Sequence, residues 1–141
     1  GKLTVYRHLS EEAVDQLVSR LDLAKPAPWT GDKPLPGGDF AREAIDDLIA
    51  QVAQRYPFFD ARTHRRLAHS YGTTAFDIFG SAASLDQCGA DFGSGLTARE
   101  VDHLVANEWA ITAEDILWRR TKLGLRLDAQ QVDALRAYLA I

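Results

Sequence analysis

The sequence predicts an all-α domain, an orthogonal bundle of about six or seven helices. Apolar residues recur at steps of three and four in several stretches, which is the period of an amphipathic helix. No stretch shows the sustained alternation of apolar and polar residues that is typical of a half-buried strand. The chain has 141 residues, 46% of them hydrophobic and 26% charged, which suits one compact domain with its own core.

The first helix is predicted over residues 4–22, where an apolar stripe recurs along one face. Ser10, followed by two glutamates, would instead cap a shorter helix, but Tyr6 and Leu9 continue the stripe and favour the longer one. Residues 24–39 contain four prolines and three glycines, and they predict a long loop.

Each remaining helix is predicted to begin at a residue whose side-chain oxygen can cap it. These helices are 40–56 after Asp39, 61–70 after Asp60, 75–82 after Thr73 or Thr74, one from Thr97 through Val105, one from Thr112 through Trp118, and a last one after Asp128. The run from Thr97 to Glu100 is interpreted as a capping box, in which Glu100 reaches back to an N-terminal amide. Residues 84–95 are predicted to form a loop. The predicted core residues are Leu48, Val52, Leu104, Ile116 and Leu117.

Composition excludes several classes of protein. The net charge of −4 provides no basic field for nucleic acid, and no basic recognition helix is evident. Cys88 is the one cysteine, so no internal disulfide is expected and a reducing compartment is favoured. No apolar run approaches the roughly 20 residues that span a bilayer, and no signal peptide is visible. The start at Gly1 and the lack of methionine indicate a truncated chain.

Three arginines mark a possible contact patch on the helix predicted over 61–70. Arg62, Arg65 and Arg66, with His64 among them, could bind phosphate, an acidic partner or anionic headgroups. A solvated helix face is the simpler interpretation of the same residues.

A second charged group lies in an apolar context. Glu108, Asp115, Arg119 and Arg120 are interspersed with tryptophans and isoleucines, which predicts ion pairs that tie one helix to the next. A catalytic role is the less favoured alternative, because no reactive group lies nearby in sequence. The chain shows no metal-ligand spacing, GxGxxG, P-loop or nucleophile elbow, so we predict neither a metal site nor a catalytic residue in it.

Four segments resemble, in the same order, the FAD-dependent glycerol-3-phosphate dehydrogenases. The third is the most specific, and together they span residues 1 to about 125. They are Gly1-Lys2-Leu3-Thr4-Val5-Tyr6-Arg7, Tyr71-Gly72-Thr73-Thr74-Ala75, the signature from Glu100 through Asn107-Glu108-Trp109-Ala110 to Arg119-Arg120-Thr121, and the loop Pro34-Leu35-Pro36-Gly37-Gly38. Val5 departs from the second threonine of the family pattern.

The resemblance implies that this chain is the C-terminal cap domain of a parent flavoenzyme. Residues 1–9 would end the flavin-domain motif and lead into the first helix, and residues 10–141 would form the helical domain. The parent would oxidise sn-glycerol 3-phosphate to dihydroxyacetone phosphate, pass electrons to quinone, and bind FAD outside this chain. Lys2 and Thr4 would lie near substrate and flavin.

The resemblance also implies partners and alternatives. The partners would be the chain's own flavin domain, a second subunit in a homo-oligomer, and the cytoplasmic side of the inner membrane, held peripherally. The chain alone would be inactive. Two alternatives remain open: a glycerol-3-phosphate oxidase, which passes electrons to oxygen, and a self-standing helical interaction module.

Overall fold

The computed structural model describes residues 2–140 and confirms the all-α class. Its chain forms two compact units, one ending at Leu35 and the other beginning at Pro36. The helices within the described residues are α1 (Tyr6–Arg20), α2 (Ile45–Arg55), α3 (Ala61–Tyr71), α4 (Thr74–Phe79), α5 (Ala98–Asn107), a π-helical segment (Asp115–Arg120) and α6 (Ala129–Leu139). Short 3₁₀ turns lie at Leu3–Val5, Thr30–Asp32, Arg42–Ala44, Leu85–Cys88 and Leu123–Leu125.

The first unit consists of α1 and the proline-rich loop. The predicted helix is confirmed in slightly shorter form, and polar contacts hold the loop to it. Arg7 and Thr30 both bond Glu11, the former at 3.1 Å, and Lys25 pairs with Asp15 at 2.7 Å. No residue from 2 to 35 is buried, so the apolar stripe of α1 is exposed along its length.

The second unit contains the core. All five predicted core residues are buried, which confirms the periodicity argument. Around Tyr56, the rings of Phe79 and Phe58 pack edge to face at 5.4 and 6.0 Å between centroids.

A short antiparallel hairpin corrects the prediction that residues 84–95 form only a loop. Strand β1 (Asp91–Gly93) pairs with β2 (Leu96–Thr97). Strands of three and two residues are too short for a period of two to be visible in the sequence. Gly95 has a φ of +74° in the connecting turn, and a Cβ there would overlap the side chain of Thr63, so the hairpin lies against α3.

Of the six predicted caps, Asp60, Thr112 and Asp128 accept capping bonds, whereas Asp39, Thr73 and Thr97 do not. Asp60 accepts a bond from the amide of Thr63 at 2.7 Å, and Asp128 forms a capping box at α6. Asp39 does not cap α2, which begins at Ile45 after the 3₁₀ turn; its carboxylate accepts a bond from the hydroxyl of Thr73 instead. Thr97 makes no side-chain capping bond at α5.

Candidate functional site

A fully buried carboxylate lies at the centre of the second unit. Glu100, on α5, is 0% exposed and accepts bonds from both terminal nitrogens of Arg66, one of them at 2.8 Å. The hydroxyl of Tyr71 donates to the same carboxylate at 2.6 Å. Arg66 also donates to the carbonyl of Gly95 at 3.1 Å, which ties α3 to the hairpin. We call these three side chains the Glu100 cluster.

The Glu100 cluster explains why the predicted capping box at α5 does not form. The side chain of Glu100 turns into the core, where its oxygens are occupied by Arg66 and Tyr71, and does not return to the backbone of Thr97. Burial raises the pKa of Tyr71, and the adjacent negative charge of Glu100 raises it further, so the phenol remains a donor. The cluster therefore holds a neutralised charge pair inside the domain.

The arginines of the predicted contact patch face different surroundings. Arg62 and Arg65 are exposed on α3, whereas the side chain of Arg66 is 13% exposed and bound to Glu100. His64 is buried, with its Nε2 atom 2.9 Å from the carbonyl oxygen of Tyr56. Arg66 is four residues from Arg62 on the helix, but its guanidinium is engaged by Glu100, so it does not contribute to the patch.

Two of the segments that carried the family resemblance meet at a pair of glycines. Gly37 and Gly72 have φ values of +76° and +56°, and a Cβ on either would overlap a backbone carbonyl of the other segment. The amide of Thr73 donates to the carbonyl of Gly37 at 3.1 Å. Because Tyr71 precedes Gly72, this backbone contact adjoins the Glu100 cluster, which contains the start of the third segment. The motifs are thus parts of one packed junction.

A shallow groove lies beside the glycine contact. Its volume is about 480 Å³, and its walls include Phe40, Arg42, Ile45 and His69. Arg42 and His69 are both exposed, so the groove is an open surface feature rather than an enclosed pocket.

The four charged residues predicted to form ion pairs are arranged as two pairs. Arg119 bonds Asp115 at 2.6 Å within the π-helical segment. Arg120 donates to the carbonyl oxygen of Glu108 at 2.6 Å, with its Nε 3.6 Å from the Glu108 carboxylate, and this pair links the end of α5 to the π-helical segment. Backbone bonds from Thr112 and then Ile111 lower the pKa of Asp115 to about 2.

The N-terminal residues predicted to lie near substrate are both exposed. Lys2 precedes the 3₁₀ turn that contains Thr4, and its carbonyl accepts a bond from the amide of Val5 at 3.1 Å. Gly1, the first residue of the matching motif, lies outside the described residues.

Other chemistry is limited in the part of the chain that the structure describes. Between residues 2 and 140, no three His, Cys, Asp or Glu side chains are placed to hold a metal ion, and no helix is long and apolar enough to cross a bilayer. Burial raises the pKa of the Cys88 thiol, which keeps it protonated and unreactive. The fold and the Glu100 cluster define a helical domain whose buried charged residues bind one another.

Comparison with known proteins identifies the family. Residues 29–141 match the family described as the C-terminal domain of alpha-glycerophosphate oxidase. The chain is 44% identical over 139 residues to glycerol-3-phosphate dehydrogenase of Pseudomonas aeruginosa and 38% identical over 139 residues to aerobic glycerol-3-phosphate dehydrogenase of Escherichia coli, covering 99% of this chain in both cases. It is 36% identical over 127 residues to D-erythritol 1-phosphate dehydrogenase of Brucella abortus, covering 90% of this chain. The chain therefore belongs to the C-terminal domain family of the glycerol-3-phosphate dehydrogenases and oxidases. It spans 27% of the length of the first two relatives and 25% of the third.

Sequence reasoning missed the Glu100 cluster, although one signal was present. Glu100 lies four residues before Leu104, so both occupy one face of α5, and that face is apolar. A charged residue on an apolar stripe indicates a buried partner of opposite charge. The sequence offers many arginines, however, and Arg66 is 34 residues away.

Proposed function

We propose that this chain is the C-terminal helical domain of a flavoenzyme that oxidises sn-glycerol 3-phosphate to dihydroxyacetone phosphate. The observation that carries the proposal is the 44% identity over 139 residues to a glycerol-3-phosphate dehydrogenase. FAD, bound in the part of the protein that precedes this chain, supplies the acceptor for the hydride from C2 of the substrate. Residues 1–9 end the flavin-domain motif, and residues 10–141 form the helical domain.

In this proposal the chain has a structural and partner-contacting role and is inactive alone. The chemistry of its buried groups supports that assignment. The carboxylate of Glu100 is fully occupied by hydrogen bonds from Arg66 and Tyr71, and the Cys88 thiol is buried in the core. The exposed Arg62 and Arg65 are candidates for contact with an acidic surface.

Lys2 and Thr4 are the residues of this chain proposed to approach substrate and flavin. Both are exposed, and an ammonium group beside a short helical turn suits a phosphate or a developing negative charge. In the full-length protein, replacing Lys2 with Met should lower kcat/KM for glycerol 3-phosphate by about 10- to 150-fold, the loss of one charge-assisted bond. Lys33→Met, at another exposed lysine, is the matched control. An unchanged kcat/KM in Lys2→Met would remove Lys2 from the site.

The electron acceptor has two candidates. Quinone is proposed first, with the enzyme held peripherally on the cytoplasmic side of the inner membrane and assembled as a homo-oligomer. Oxygen is the alternative, and it is favoured by the family description, which names an oxidase. Peroxide formation under air, compared with reduction of a soluble quinone analogue under nitrogen, separates the two.

The substrate also has a second candidate. The relative from Brucella abortus is named for D-erythritol 1-phosphate, a longer polyol phosphate, and is 36% identical over 127 residues. The ratio of kcat/KM for the two phosphates in the full-length protein distinguishes the candidates.

The test of the proposed function compares the full-length protein, with any upstream coding sequence, to residues 1–141 alone. We expect flavin absorbance and glycerol 3-phosphate-dependent dye reduction in the full-length protein and neither in the isolated chain. Full-length protein without flavin, or turnover by the isolated chain, would contradict the proposal. A reading frame that begins at this chain would favour a self-standing interaction module.

A further inference from the structure

One stretch of the second unit presents its large apolar side chains to solvent. Across residues 36–140, the exposed large hydrophobic residues all fall between positions 105 and 125. Trp109 is 86% exposed and Ile111 is 79% exposed. The set, which we call the 105–125 surface, is Val105, Trp109, Ile111, Trp118 and Leu125. Concentrating exposed apolar side chains in one stretch of the chain is typical of an interaction surface.

Trp109 adopts a backbone conformation that disfavours its own side chain. Its φ is +57°, the left-handed region, at the position after a helix where glycine is usual. The strain is imposed from both sides: the amides of Glu108 and Ala110 both donate to the carbonyl of Leu104 at 3.1 Å, and Arg120 holds the carbonyl of Glu108. A glycine would relieve the strain, so the backbone conformation by itself does not account for a tryptophan at this position.

The exposed side chains of the 105–125 surface are held in place by buried neighbours. Residues between its exposed members are buried in the core, among them Ala110, Ala113 and Leu117. The indole of Trp118 lies on Gly124, where a Cβ would overlap the ring. Rigid aromatic anchors on a packed base lose little side-chain entropy on binding, which is the pattern of an interface hot spot.

We propose that the 105–125 surface is the docking face for the part of the parent protein that precedes this chain. The identity of the occupant rests on the proposed function. The family is a C-terminal domain, and the chain spans 27% of its relatives, so most of such a protein lies before residue 1. The apolar stripe of α1, near the start of this chain, is exposed as well.

The charges on the 105–125 surface favour a protein occupant over a membrane. Of the cations in this stretch, Arg119 and Arg120 are paired with Asp115 and Glu108 and can be covered at a lower desolvation cost, and Lys122 donates to the carbonyl of Trp118. A face that binds anionic lipid presents unpaired lysines and arginines around its tryptophans.

Two substitutions separate strain from docking. Trp109→Gly removes both the left-handed strain and the indole, whereas Trp109→Ser removes the indole and keeps the strain. In the isolated chain, the urea midpoint of Trp109→Gly should equal or exceed that of the unaltered chain. In the full-length protein, both variants should speed proteolytic cleavage ahead of residue 1 by about 30-fold. Losing one hot-spot side chain raises the population of the undocked state by that factor, and cleavage follows that population. Gln54→Ala, exposed on α2, is the matched control and should change neither measurement.

Oxidative footprinting with mass spectrometry gives a readout that is independent of activity. Trp109 should be oxidised rapidly in the isolated chain and slowly in the full-length protein, near the rate of buried Leu117. Rapid oxidation of Trp109 in the full-length protein would overturn the proposal. So would a lower urea midpoint for Trp109→Gly in the isolated chain, together with unchanged proteolysis.

The remaining outcomes assign the surface to another occupant. Protection of Trp109 in the isolated chain that increases with protein concentration would mean that a second copy covers it. Protection only with anionic phospholipid vesicles would mean a membrane. Protection in a full-length protein that does not oxidise glycerol 3-phosphate would support the docking face and contradict only the proposed function.

Discussion

Replacing Glu100 with Gln tests whether the Glu100 cluster stabilises the domain as the structure indicates. The carboxylate is 0% exposed and is the one acidic partner of Arg66 among the described ion pairs. In the variant, the amide nitrogen must face a donor of Arg66 or Tyr71, and the arginine keeps its charge in a dry site. Removing one partner of a buried pair costs about 3–5 kcal/mol. Tyr71→Phe removes one bond to a charged group and should cost about 1.5–3 kcal/mol.

Urea unfolding of the isolated chain, followed by circular dichroism, measures both effects. With a slope of about 1.5 kcal/mol/M, Glu100→Gln should lower the midpoint by roughly 2–3 M at an unchanged slope. The double variant Arg66→Met/Glu100→Leu should recover much of the loss, because two apolar side chains leave no buried charge unpaired. A shift of the urea midpoint below about 0.5 M for Glu100→Gln would refute the reasoning, since the buried charge of Arg66 would then be tolerated without a carboxylate partner.

Four further measurements test other parts of the fold. Leu48→Ala should lower the free energy of unfolding by about 2–5 kcal/mol, and a loss under about 0.5 kcal/mol would contradict its place in the core. Gly72→Ala should cost at least about 1 kcal/mol more than Gly80→Ala, because both have positive φ but only the Cβ at 72 overlaps backbone; equal losses would exclude a tight crossing. A carbon-13 titration of Asp115 should give a pKa of about 2, so its contribution to stability is complete above about pH 4 and lost as the pH falls toward 2; a value near 3.8 would mean that its bonds to Ile111 and Thr112 are absent in solution. Asp60→Ala should cost about 1 kcal/mol in thermal unfolding through loss of the α3 cap, and no change would show that the cap is dispensable.

The sequence predicts the parts of this fold that depend on neighbouring residues. The helix stripes and the Asp60 cap involve residues within four positions of each other, so the period and the residue type are sufficient. The capping box predicted at Thr97 satisfies the same local rule and is nevertheless wrong, because Glu100 has a stronger partner in Arg66. A local pattern carries no information about a competitor 34 residues away.

The candidate sites show the same division. Asp115 and Arg119 are four residues apart on one helix, and their pairing follows from that spacing. The exposure of Trp109 cannot be predicted from the sequence in this way, because an aromatic residue in an apolar stretch is usually buried. Its outward direction is set by the left-handed turn after α5, and a tryptophan gives no sequence signal for a conformation that glycine normally adopts.

The bond between Thr73 and Gly37 makes one amide proton a reporter of how the chain opens. The carbonyl that accepts it belongs to the segment entering the second unit, while the donor begins the α3–α4 corner. If the entering segment detaches before the helices unfold, the Thr73 amide exchanges with solvent deuterium faster than the helical amide of Leu67, which is fully buried. If the glycine crossing and the core form one cooperative unit, the two amides exchange at the rate of global unfolding. The order of opening at this junction thus decides whether the segment that contains Gly37 can be released while the helical fold stays intact.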